Sequence, residues 1–227
     1  MVWRRPSVEA MSTVAVVGGH GQVAQHLLTG LAGAGHVPVA LVRREEYRAE
    51  LEAKGAEVRI LDIENHDAGD FAAAFEGCDA VVFAAGGGAD GDVERKRTVD
   101  LEGSLKSIEG ATKAGIRRFV QVSAIGVDAP LPHDTSDVWR AYVEAKRDAD
   151  AALRDSGLDW TIIRPGRLTD DAAVGTVALA PELDRGDITR ADVAAVVAAC
   201  LDTPSTIGKQ ATLVEGTTPV AQAVAAL

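Results

Sequence analysis

The sequence predicts a doubly wound α/β fold, a mainly parallel sheet of about seven strands with helices on both faces. Three observations predict it. From residue 13 almost to the end, short apolar runs bounded by Gly, Asp and Asn alternate with segments of helical period, the pattern of a parallel sheet covered on both sides. The first run is followed at once by a glycine-rich turn that opens an apolar helix. The composition, 47% hydrophobic but only 4% aromatic, favours small side chains packed between helices and a sheet.

Strands are expected at 13–17 (TVAVV), 37–42 (VPVALV), 57–61 (EVRIL), 79–84 (DAVVFA), 117–122 (RRFVQV), 160–163 (WTII) and 211–215 (ATLVE). Helices fit 22–33, 45–54, 67–75, 92–114, 137–156 and 190–201. The last begins with the capping pair Thr189-x-x-Asp192 before an Ala/Val-rich run. Gly86 to Gly91 (GGGADG) reads as a loop lying over a bound ligand. Segments 126–136 and 166–188 carry Pro, Gly and Asp without a clear period and read as loops at the carboxyl edge of the sheet, where doubly wound folds bind ligands. No repeat or linker divides the 227 residues, so the expected organisation is a tail over 1–12 and one domain over 13–227. Met11 leaves the start open between Met1 and Met11.

The charge balance sets limits on partners. With 34 acidic against 23 basic residues the net charge is -11, which opposes attraction to a phosphate backbone, so no nucleic-acid partner is expected. Cys78 and Cys200 have no CxxC partner, and His20, His26, His36, His66 and His133 show no ligand spacing, so no disulfide framework and no metal site are expected. No apolar run approaches the ~18 residues of a membrane span, and the opening segment has no apolar stretch of signal-peptide length. A cytoplasmic protein without a membrane partner is expected, with a homodimer or a protein partner left open.

The turn after the first strand reads Gly18-Gly19-His20-Gly21-Gln22-Val23-Ala24. One glycine permits the tight turn, a second lets backbone approach a pyrophosphate, and a small third residue permits close helix packing, here Ala24. The free N–H groups and positive dipole end of the helix then supply the local anion site that an acidic protein needs. This is the phosphate loop of a Rossmann-type dinucleotide site. An acidic residue ending the second strand would hold the ribose hydroxyls of NAD(H), but this strand ends Val42-Arg43-Arg44. Arginine there suits a 2′-phosphate, which puts NADP(H) ahead of NAD(H); two solvated residues opening the next helix would read the same. Asp62, after the third strand, is placed equally for the adenine edge or for capping a helix.

A candidate reaction centre follows the fifth strand. Tyr142 and Lys146 stand four apart in a helical segment and share one face. A neighbouring ammonium stabilises a phenolate and lowers the tyrosine's ordinary pKa of about 10. Ser123 is placed to hold a substrate carbonyl while Tyr142 donates a proton and a nicotinamide delivers hydride. His133 and Trp139 stand where they would line the mouth of such a site, but the favoured reading is a loop histidine exposed to solvent and a packing tryptophan.

In order along the chain, GGHGQVA, LVRR, LDI with Asp62, CDAVVFAAG, VDLEG around Asp100, FVQVSAIG, YVEAK, TIIRPGRL and ITRADVAAVV resemble the short-chain dehydrogenase/reductase superfamily over residues 13 to about 215. More narrowly they resemble its atypical NAD(P)-binding branch, which includes NmrA-like and biliverdin-reductase-B-like proteins. The resemblance implies that Gly18, Gly19, His20, Gly21, Gln22, Val23, Arg43, Arg44, Asp62 and Ile63 contact cofactor. It further implies that Ala84, Ala85 and Gly86 border its ribose, with Val122, Lys146 and Arg164-Pro165-Gly166 near the nicotinamide. Ser123, Tyr142 and Lys146 match the family's catalytic trio, and Asp100 stands where the superfamily carries a catalytic asparagine. About 60 residues follow Arg164-Pro165-Gly166, too few for the substrate domain of sugar-nucleotide epimerases.

These readings lead to an NADP-dependent oxidoreductase acting on a small carbonyl or conjugated substrate. The alternatives are a non-catalytic NADP(H) sensor that binds a protein partner, as the NmrA-like resemblance implies, and an isomerase or dehydratase that oxidises its substrate transiently. The substrate itself is not named by any side-chain constellation in the loops.

Overall fold

The computed structural model describes residues 11–88 and 92–227. Most of the expected tail and the tip of the Gly86–Gly91 loop lie outside these residues. The elements run in chain order as β1 (Thr13–Val17), α1 (Gln22–Gly33), β2 (Val37–Val42), α2 (Arg48–Glu52), β3 (Glu57–Ile60), α3 (Ala68–Ala74), β4 (Ala80–Phe83) and α4 (Val93–Arg95). A π-helical segment (Lys96–Glu102) leads into α5 (Gly103–Lys113), then β5 (Arg118–Val122), α6 (Asp137–Asp155), β6 (Asp159–Pro165), β7 (Arg167–Thr169), β8 (Thr176–Ala180) and β9 (Asp187–Thr189). The chain ends with α7 (Arg190–Leu201), β10 (Lys209–Glu215), β11 (Thr218–Pro219) and α8 (Val220–Ala225).

The main sheet has nine strands in the order β11-β8-β10-β6-β5-β4-β1-β2-β3, so the expectation of about seven is corrected. The seven strands read from the sequence form its parallel part, β3 through β10. The other two, β8 and β11, add on antiparallel at one edge. They were read as loop because an edge strand needs no continuous apolar run: in β8 only Val177 is buried, and its neighbours are half-exposed. A second, two-stranded sheet pairs β7 with β9 in parallel, each three residues long. Segment 166–188 therefore contains β7, β8 and the start of β9 joined by loops.

Each face of the sheet is covered by helices, as the alternating pattern demands. On one face Val23, Leu27, Leu28 and Leu31 of α1 meet Val193, Val196, Val197 and Cys200 of α7 over the inward side chains of β1, β2 and β6. On the other, Phe71 and Phe75 beside α3, Ile108 of α5 and Leu153 of α6 pack over Ala15, Val17, Val81, Phe83 and Phe119. Thr189 caps α7 as expected, its Oγ1 accepting from Asp192 N at 3.0 Å. The Asp192 carboxylate does more than a capping partner would: it accepts from the backbone N–H groups of Val174 and Gly175 at 3.0 and 2.9 Å, tying the loop before β8 to the helix.

The expected helix over 92–114 is interrupted by the π-helical turn at Lys96–Glu102. Such turns are uncommon and recur at functional sites. Among the described residues no helix is long and apolar enough to cross a membrane.

Leu27 is fully buried at the α1–α7 contact. Truncation to Ala should cost about 3 kcal/mol through lost burial and a residual cavity, read from the urea-denaturation midpoint; a variant as stable as the parent would show that this face repacks freely.

Candidate functional site

The strand order reverses between β1 and β4, and the crevice outside their carboxyl ends is where an open α/β sheet takes ligands. Two neighbouring cavities lie there, of about 250 and 180 Å³, and Ala84, Ala85 and Gly86 line both.

The larger cavity is built on the turn after β1. Gly18 has φ +81°, and a Cβ on it would lie 2.7 Å from Ala85 Cα. A Cβ on Gly19 would lie 2.8 Å from Ala40 Cβ. Side chains at either position would push β1 away from its neighbours and close the crevice. Gly21 N–H donates to Gly18 O at 2.8 Å, and Gly21 is the N-cap of α1 with no side-chain cap and no acidic residue in the first turn. The first-turn N–H groups, which helices leave without internal partners, thus face the crevice uncapped. The cradle fits a pyrophosphate.

Around that cradle, Arg43, Asp62, Ile63 and His20 line the cavity. Arg43 is exposed and has no ion-pair partner among the described residues. Arg44 does not line it, and its Nη1 meets Glu46 at 3.0 Å. His20 stacks on Tyr47 with centroids 3.6 Å apart and 8° between planes, its Nε2 3.4 Å from Glu50. Asp62 turns onto its own loop, accepting from Glu64 N at 3.0 Å and Asn65 Nδ2 at 2.9 Å. Partial burial opposes its charge, and those two bonds outweigh it, so its pKa lies below the ordinary value. Gln22 and Val23 open α1, and of the two Val23 reaches the smaller cavity.

The smaller cavity holds the candidate reaction centre. Ser123 follows β5; α6 presents Tyr142, Lys146 and Asp150 at steps of four along one face. Lys146 and Asp100 are both buried, with Nζ 3.1 Å from Asp100 Oδ1. The ammonium also donates to the backbone oxygens of Ala85 at 3.3 Å and Val122 at 3.4 Å. Asp100 Oδ2 accepts from Gly87 N at 2.8 Å. Burial opposes the Lys146 charge, but the Asp100 carboxylate more than compensates and raises its pKa.

Lys146 acts to lower the Tyr142 pKa, as expected, but the net direction is upward. Burial pushes the phenol above its ordinary value; Lys146 opposes this, while Asp100 and Asp150 reinforce it. Burial is the largest influence on the phenol, and Asp100, paired with Lys146, works against the lysine's effect.

Behind Ser123 lies a polar chain that the sequence reading did not contain. Asp150 is fully buried and accepts from Gln121 Nε2 at 2.7 Å, Ser123 Oγ at 2.8 Å and Arg164 Nε at 2.9 Å. Gln121 Oε1 in turn accepts from Ser104 Oγ at 2.6 Å. Arg164 also reaches Asp128 at 2.5 Å, and these carboxylates outweigh its own burial to hold its charge. A carboxylate facing a guanidinium can only accept, so the single Ser123 proton goes to Asp150 and only its lone pairs face the cavity. Holding a substrate carbonyl would require that bond to open. The signal for Asp150 was in the sequence as a third residue at the Tyr142-Lys146 spacing. Pro165 and Gly166 line the cavity with Val122, while the Arg164 side chain turns away into the network. His133 is exposed and lines neither cavity. Trp139 is exposed, with its ring 5.3 Å from that of Tyr142.

The family described as NAD(P)H-binding matches residues 18–204. A Bacillus subtilis protein named as an uncharacterized sugar epimerase is 42% identical over 212 residues, 93% of this chain and 98% of that one. A solved structure from Bacillus halodurans, provisionally named an NAD-dependent epimerase/dehydratase, superimposes with a TM-score of 0.88 at 41% identity, over 95% of this chain and 100% of that one. A Lactococcus lactis structure named an oxidoreductase gives a TM-score of 0.83 at 27% identity, over 95% and 96%.

Tyr142 and Tyr47 are the two tyrosines of the chain. In a Tyr47→Phe variant, absorbance titration should find the remaining phenol ionising above its ordinary value of 10. Ionisation at or below that value would mean Lys146 does activate it.

Proposed function

Because the chain belongs to the NAD(P)H-binding family, and with it to the atypical short-chain dehydrogenase/reductase-like Rossmann proteins, we propose that it is an NADP(H)-dependent oxidoreductase acting on a small carbonyl or conjugated substrate. The observation that carries this reading is the pair of cavities sharing the Ala84–Gly86 wall, one beside an uncapped helix start and the other beside Tyr142. In it, Gly18 to Val23 cradle the pyrophosphate, Arg43 takes the 2′-phosphate, and Ala84 to Gly86, Val122 and Pro165 carry the chain past the ribose to the smaller cavity. A reduced nicotinamide bound there would supply hydride. Tyr142 gives its proton to the carbonyl oxygen as negative charge gathers there, and Lys146, less than a full counter-charge because of Asp100, steadies the tyrosinate until water returns the proton. A protonated phenol carries the proton that reduction of a carbonyl consumes. Two free, buried cysteines, Cys78 and Cys200, support a reducing, cytoplasmic setting.

The names of the Bacillus relatives favour a second reading, an epimerase or dehydratase that oxidises and re-reduces its substrate. The smaller cavity, at about 180 Å³, is tight for a nucleotide-sugar. Such an enzyme would need cofactor without net consumption.

Calorimetric titration with NADPH, NADP+, NADH and NAD+ tests the core of the proposal. NADP(H) should bind more tightly than NAD(H), and Arg43→Asp should weaken NADP(H) by about tenfold or more while sparing NAD(H). Absence of binding by all four would overturn the reading, and equal losses for both nucleotides would remove Arg43 from it.

A further inference from the structure

Lys96 opens the π-helical segment and is buried, only 4% exposed. Its ammonium lines the smaller cavity, 5.9 Å from the centre of the Tyr142 ring. Among the described residues, three charged side chains line that cavity: Lys96, Lys146 and Asp100. The one carboxylate among them is already taken by Lys146 at 3.1 Å. Lys96 donates to a neutral acceptor, the Gly88 backbone oxygen, and no carboxylate among the described residues forms an ion pair with it. A lysine ammonium has three N–H donors. A buried cation is costly without a counter-ion, and this one lines the cavity.

We propose that Lys96 is the anion anchor of the substrate cavity, so that the substrate carries a carboxylate or phosphate group beside the carbon that reacts. This deepens the oxidoreductase reading and rests on it for the identity of the cavity. The polar surroundings agree with such a ligand. Tyr142 O–H and the Lys96 ammonium are donors, Ser123 offers lone pairs, and among the described residues no unpaired carboxylate lines the wall to repel an anion. The same charge leaves a neutral ligand with a buried cation still unpaired.

The test is calorimetric titration of the full chain, first with NADPH alone and then, loaded with NADP+, with oxalate, inorganic phosphate and neutral oxamide. Oxalate or phosphate should bind, oxamide should not, and added NaCl should weaken the anions. Lys96→Gln should lose at least about tenfold in anion affinity, and Lys96→Arg should keep most of it. Lys96→Met serves as a second truncation should the glutamine variant fail to fold. The proposal is overturned if neither anion binds the wild type, if oxamide binds as well as oxalate, or if the truncated variants bind anions unchanged. A variant that loses NADPH while keeping oxalate would assign Lys96 to the cofactor instead, which also overturns it. Failure of the first titration would sink the dinucleotide reading by itself, whereas anion binding is scored separately on protein with and without nucleotide.

Discussion

The buried ion pair between Lys146 and Asp100 holds the site together. One ammonium reaches the π-helical segment through Asp100, the end of β4 through Ala85 O and the end of β5 through Val122 O, all from its place on α6. Asp100 extends the same junction to the loop after β4 through Gly87 N. Four segments distant in sequence are thereby fixed at the carboxyl edge of the sheet, and the smaller cavity is the space they leave. Taking two charges out of water is expensive, and mutual attraction repays it only when the remaining donors and acceptors are satisfied. Here two backbone carbonyls and one amide complete the set. A hydrophobic pair of the same volume would fill the space and give no such directional ties.

The pair also governs what its neighbours do. An unpaired lysine four residues from a tyrosine would draw the phenol towards ionisation. With Asp100 at 3.1 Å the carboxylate works against the ammonium at Tyr142, and burial is the larger influence. A parallel arrangement stands behind Ser123, where Arg164 compensates Asp150 and the serine proton is absorbed into the network. Of the expected trio, Ser123 and Lys146 are each paired with a carboxylate placed one step further back, Asp150 and Asp100.

The parallel core was legible because its signals are local and repeated. Val14 to Val17, Val39 to Val42 and Ala80 to Phe83 are buried on both faces and appear as unbroken apolar runs. The phosphate turn was legible because a tight turn packed against β2 and β4 leaves glycine as the side chain that fits. Edge strands escaped notice, since β8 and β11 gain their place by pairing with strands already formed and need little apolar surface of their own. Within the site, the residue types at 123, 142 and 146 were readable from spacing. Their electrical state was not, because it depends on Asp100 and Asp150, whose proximity is created by the crossing of α6 over the ends of β4 and β5. Lys96 was hidden for a related reason: in sequence it sits within the charged run Glu94-Arg95-Lys96-Arg97 and looks like any solvated helix face. The π-helical turn rotates it inward.

That rotation shows how one scaffold is given a particular chemistry. A doubly wound sheet supplies a crevice, an anion-binding helix start and a set of strand ends, and these are common to proteins of many activities. What varies is the sign and polarity of the few groups facing the open end of the crevice. In this chain the carboxylates nearest that end are each matched by a cation within the protein, so their charge does not reach the cavity as a repulsive field. Tyr142 presents a proton, Ser123 presents lone pairs, and Lys96 presents a charge that among the described residues is answered by a backbone carbonyl. Reversing any one of these would leave the fold intact and change which molecule the cavity accepts, because the sheet does not depend on Lys96 or Tyr142 for its packing.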